Sequence, residues 1–189
     1  MVNMKFLSFI SLLAAPLAAA LPTTGSSNTM AARSDSVPFS FEQWADAIAK
    51  GETHLSVEEA IQAADAANLG SSAPPSGNAE RSIEKRLRCN HLDVGSAWAP
   101  DAVACINQLA SNGQMCRVDV TVAFCTIGNA QIVGVRGGPG PYTESSCQDV
   151  ARAAGYVMDN CWRADNTVQG DHYAWGNGNM AVHIAAPSI

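Results

Sequence analysis

No cysteine occurs before Cys89 in this 189-residue chain, although six follow from there to Cys161. Lysine shows the reverse pattern, because none follows Lys85. The N-terminal part therefore has no means of disulfide cross-linking. The C-terminal part has no lysine-rich surface. Beyond Arg86 five arginines stand against eight acidic residues, a net charge of −3. Such a balance repels rather than steers nucleic acid and anionic membrane, which disfavours both as partners. No apolar run reaches the roughly 20 residues that span a bilayer, so stable membrane insertion is not expected. No Asn-x-Ser/Thr site is present, so ordinary N-glycosylation should add no mass. The glycines of Gly137–Gly140 lack the strand, helix and lysine of a phosphate loop.

What is present at the N-terminus reads as a secretory signal over residues 1–20. Lys5 supplies the positive region and Phe6 to Leu17 a short apolar stretch broken by Pro16. Ala18-Ala19-Ala20 forms a small-residue cut site before Leu21. Residues 21–86 then read as a pro-segment. Ser40 with Gln43, and Ser56 with Glu59, are helix-start signatures that predict two short helices. After Leu69-Gly70 the run Ser-Ser-Ala-Pro-Pro-Ser-Gly-Asn has little to bury and reads as an exposed linker ending at Lys85-Arg86. Fungal secretory proteins resemble this layout, which implies removal of the pro-segment by a kexin-type protease. Secretion makes disulfides the default use of cysteine. The remaining residues 87–189 form one domain of modest core size.

Within that domain Arg88 to Val94 suits a first strand. Pro100, Val103, Ile106 and Leu109 predict a helix that stops at Asn112-Gly113. From Cys116 the period becomes two, with Val118, Val120, Val122 and Phe124 facing one way. A turn at Thr126–Asn129 returns the chain through Ala130–Val135 as a hairpin, and Gly137–Pro141 reads as a surface loop. Cys147, Val150, Ala151, Ala154, Val157, Met158 and Cys161 form one stripe of a second helix, capped by Ser145 with Gln148. Asn179–Ala185 closes the chain as a strand. The order β-α-β-β-α-β predicts an α+β fold, a ferredoxin-like sandwich whose antiparallel sheet carries both helices on one face.

The predicted elements restrict how Cys89, Cys105, Cys116, Cys125, Cys147 and Cys161 can pair. Cys147 and Cys161 are 14 helical steps apart, about 21 Å, and a bridge tolerates only ~7 Å between Cα atoms. Cys116 and Cys125, nine steps apart on one strand, are separated by roughly 30 Å. Both pairs are excluded, and ten of the fifteen possible pairings remain. Bridges from Cys147 and Cys161 should tie the second helix to other elements.

Chemistry-bearing residues are few. His91, His172, His183 and Glu144 are the candidates for the acid and base of a small ribonuclease, but their spacing does not link them. His183 falls opposite Met180, Val182 and Ile184 and reads as a solvent-facing strand residue. His172 reads as polar surface on a loop. Asp171, His172 and His183 are the residue types of a metal site without a recognised ligand spacing, so no catalytic residue, metal or cofactor is assigned. Trp162, Tyr173 and Trp175 are the candidate binding surface, an aromatic platform that would suit a wall-polysaccharide-binding or inhibitor module.

The run Phe124-Cys125-x-x-Gly128-Asn129-x-x-Ile132, the helix end Asp159-Asn160-Cys161 and the segment Gly178-Asn179-Met180-x-Val182 resemble the killer-toxin-like proteins of fungi, the smut-fungus viral killer toxins and related secreted effectors. The resemblance implies a disulfide-linked α/β sandwich, secreted and acting without catalysis on a host or competing microbe. The acidic, lysine-free composition departs from the exposed basic surface that channel blocking would require.

Overall fold

A computed structural model describes residues 38–67, 69 and 87–187. The signal at 1–20, the linker and Lys85-Arg86 lie outside the described residues. Both helices expected before Lys85-Arg86 form at their predicted starts. In α1 (Phe41–Ala49) the Ser40 side chain accepts from the Gln43 amide, and in α2 (Val57–Ala66) Ser56 and Glu59 complete a reciprocal capping box. Each cap satisfies amides that the first helical turn leaves without partners.

The cysteine-containing part is α+β. Its elements are β1 (Arg88–Cys89), β2 (Ala97–Trp98), α3 (Ala99–Ala110), β3 (Met115–Val118), β4 (Thr121–Ile127), β5 (Ala130–Arg136), β6 (Thr143–Ser146), α4 (Cys147–Cys161), β7 (Thr167–Val168), β8 (Gly170–Tyr173) and β9 (Met180–Ala185). Five strands form an antiparallel sheet in the order β1-β8-β9-β5-β4. The pairs β2-β7 and β3-β6 stand apart as small ladders. Helices α3 and α4 pack on one face of the large sheet, and α1 lies on these helices.

Three local expectations change. The first strand is two residues long and sits at the sheet edge, because Asn90 takes a positive φ of 53° and turns the chain away. A split βαβ unit needs its first strand inside the sheet. Here β9 lies between β8 and β5, so the ferredoxin-like order is not formed. The strand predicted from Cys116 to Phe124 divides at Asp119-Val120, with β3 pairing β6 and β4 pairing β5. Val118 is buried, but Val120 and Val122 are exposed. A bulge between Ala123 and Cys125 then turns Cys125 inward. The cap of α4 is Ser146, one residue later than predicted, and it accepts from the Asp149 amide.

Three bridges cross-link this part: Cys89–Cys161, Cys105–Cys125 and Cys116–Cys147. Neither excluded pair forms. The bridges fasten the two ends of α4 to β1 and β3, and α3 to β4. The predicted stripe of α4 is buried throughout, and so are Ala153 and Gly155 beside it. This helix is covered on two sides, by the sheet and by α1. Gly155 is required there, since an added Cβ would lie 2.6 Å from the Phe41 carbonyl oxygen.

Candidate functional site

Strand alternation divides β8 between two environments. Gly170 and His172 face α4: a Cβ at Gly170 would approach Cys161 and Val157, and the His172 ring lies 4.8 Å from Tyr156 and 5.8 Å from Trp175. Asp171 and Tyr173 face the opposite side. Register places Arg88, Asp171, His183 and Val133 in one cross-strand row on this helix-free face.

Asp171 is fully buried in the row. Its carboxylate accepts from Arg88 at 3.1 Å (Nε) and 2.8 Å (Nη2), a forked pair that offsets much of the cost of burying the charge. The turn at Asn90 directs His91 back over the same carboxylate, with Nε2 3.1 Å from Oδ1. His183 completes the group: one ligand atom each from His91, Asp171 and His183 lie within 4.8 Å of one another. Burial pushes the His183 ring below its ordinary range, with His91 and Arg88 adding to the shift and Asp171 opposing it. A neutral imidazole keeps a lone pair available to an acid or a metal. The loop that carries His91 is held down by Gln169, whose side-chain amide donates to the carbonyls of Leu92 and Val94, and by the Ala186 amide donating to the Gly95 carbonyl at 2.8 Å.

The sequence candidates are thus redistributed. His183 lies on the face its alternation predicts, half-buried rather than solvent-facing. His172 is not surface: it is buried on a strand, its Nδ1–H donating to the Tyr173 carbonyl at 2.9 Å. Of the trio Asp171, His172 and His183, the structure joins the first and third and replaces His172 with His91. Glu144 stands on β6, in a separate ladder. The aromatic platform does not assemble. Trp162 is buried 5.6 Å from Phe41, Trp175 packs on His172 and Tyr156, and Tyr173 faces the Asp171 side. The extended form of residues 170–173 is the missing signal, because alternation alone then separates His172 from its neighbours.

A second arrangement joins α1 to α4. The Asp159 carboxylate accepts from Ser40 Oγ (2.7 Å), the Phe41 amide (2.6 Å) and the Glu42 amide (3.1 Å). At the other end of α1, Gln148 Nε2 donates to the Ala49 carbonyl at 3.1 Å. One antiparallel helix thereby supplies an acid to the positive end of α1 and a donor to its negative end. Between them Arg152 reaches Asp46 at 3.3 Å, and Phe41 lies buried against Trp162. Burial pushes the Asp159 carboxyl up to about 6, although its three donors pull it down. No sequence motif announced this dock. Its only local trace is the run of small residues along α4.

Among the described residues no helix is long and apolar enough to cross a membrane. A family model described as "Domain of unknown function (DUF8794)" matches residues 84–186, more than half of the chain. No curated protein matches the chain.

Proposed function

The chain belongs to this family of domains of unknown function, and we propose that the matched region is the mature part of a secreted protein of killer-toxin or effector type, acting by binding to a host or competing microbe. In this reading residues 1–20 direct export, and a kexin-type protease cuts after Arg86. The helices α1 and α2 are a removable cover. The observation that carries the reading is the dock on α4: a cysteine-free segment is held at both helix ends by the cysteine-linked domain, and the dibasic pair lies in the chain between them. Cleavage there would uncover Trp162, Gly155 and Asp159 without breaking a bridge. Three disulfides suit an oxidising exterior. The killer-toxin resemblance spans most of Phe124 to Ile184, inside the matched region.

Intact-mass measurement of the exported product, before and after reduction and alkylation, tests the maturation half. The expected product starts at Leu87 and gains six alkyl groups only after reduction. Recovery of an uncut 21–189 chain, or of free thiols, removes the foundation. Growth inhibition or surface binding by the mature form, weaker for a Lys85→Ala, Arg86→Ala chain that keeps its cover, tests the toxin half. Equal action by both forms would sink the role of α1 as a cover.

A further inference from the structure

We propose that His91, Asp171 and His183 form a binding site for a divalent transition-metal ion of the zinc class, with Arg88 as the cation that otherwise holds Asp171. Two imidazole nitrogens and one carboxylate oxygen are a donor set that such ions prefer over magnesium or calcium. Bonds of about 2.0–2.1 Å in a tetrahedron set ligand atoms roughly 3.3 Å apart. The His91 to Asp171 separation is already 3.1 Å. All three ligand atoms lie within 4.8 Å of one another, so small side-chain rotations of the two histidines close the remainder. Water would take the fourth position.

The Arg88 pair alone accounts for burying one carboxylate. It does not account for two imidazoles, from separate segments, converging on that carboxylate. His91 comes from the loop after β1, Asp171 from β8 and His183 from β9. An ion here would clamp the first residues beyond the dibasic pair to the middle of the sheet. As a ligand through Nε2, His91 carries its proton on Nδ1. Arg88, whose side chain is 58% exposed, swings out toward solvent. Metal and guanidinium therefore compete for the same oxygens.

The competition gives the test. Zinc ion alone is titrated into the full chain with its bridges formed, and binding is followed by calorimetry and by the imidazole proton signals. Saturable one-to-one binding is expected, with the His91 and His183 signals shifting and no response to magnesium. His91→Ala or His183→Ala should weaken affinity at least tenfold, and His54→Ala, remote on the exposed segment between α1 and α2, should leave it unchanged. Arg88→Gln should tighten it. Absence of saturable binding in the wild-type chain, or binding that survives both histidine substitutions, overturns the site. An affinity that fails to rise in Arg88→Gln overturns Asp171 as the shared ligand. His91 lies in the loop after β1, outside the sheet and the helices, so its variant should retain the fold, which the bridges and an unchanged amide spectrum would verify.

Discussion

Asp159 makes the docking of α1 depend on pH in the direction opposite to an ordinary helix cap. A carboxylate that receives three donors would normally weaken its hold when protonated. Here burial outweighs the donors and raises the carboxyl from 3.8 to about 6. The docked state therefore binds more protons than the undocked state between those values. Its stabilisation is fully present below about 3.8 and is lost as pH rises through about 6. Integrated from pH 7.5 down to pH 4.5, the linkage is worth about 2 kcal/mol, or roughly a 30-fold change in the opening equilibrium of α1. Burial raises Glu42 beside it in the same sense. Amide hydrogen exchange resolved by peptide, corrected for the intrinsic pH dependence of exchange, reads the opening of residues 41–49 separately from β5 and β9. Protection of α1 should rise on acidification while the sheet stays constant. Asp159→Asn, which keeps the shape and removes the charge, should abolish most of this response. An α1 that opens more at pH 4.5, or an Asp159→Asn chain with an unaltered response, would refute the reasoning. On the proposed export route, the cover stays seated in mildly acidic compartments and loosens at neutral pH.

Further outcomes follow from packing and cross-linking. Gly155→Ala should raise the helix propensity of α4 by about 1 kcal/mol yet expel α1, because the new Cβ would stand 2.6 Å from the Phe41 carbonyl; faster exchange in α1 is expected, and unchanged protection would show that the helices can separate to admit a methyl group. Replacing Cys89 and Cys161 together by serine opens a 72-residue loop, a loss of about 4 kcal/mol on the chain-entropy account, measured as a lower denaturant midpoint; a loss below about 1 kcal/mol would mean that the unfolded chain is restrained in other ways.

Much of the fold was legible because its signals are local. Ser40, Ser56 and Pro100 mark helix starts through the chemistry of unpartnered amides. The α4 stripe and the 126–129 turn follow from periodicity and turn geometry. The errors arose where long-range pairing overrode local pattern. The alternation from Val118 to Phe124 was broken by a change of partner, from β6 to β5. Residues 170–173 gave no strand signal, since Gly-Asp-His-Tyr gains its extended form from neighbours β1 and β9. Without that strand, local pattern assigns His172 no buried face and gives His91 no link to Asp171.

The candidate sites are the least local features of all. His91 and His183 are 92 residues apart in the chain, and only the register β1-β8-β9 with the turn at Asn90 sets them over one carboxylate. Ser40 and Asp159 are 119 residues apart, and their contact exists because α1 packs antiparallel on α4. The sequence by itself determined where the helices lie, that Cys147 and Cys161 cannot pair along one helix, the charge of the domain and the division in composition at Lys85-Arg86, all of which depend on residue type and short spacing; the exclusion of Cys116–Cys125 held although the single strand it assumed is divided. Tertiary structure decided which cysteines pair, which face each histidine takes and what covers α4, because these depend on strand order and helix packing, interactions in which neighbours in space are distant in the chain.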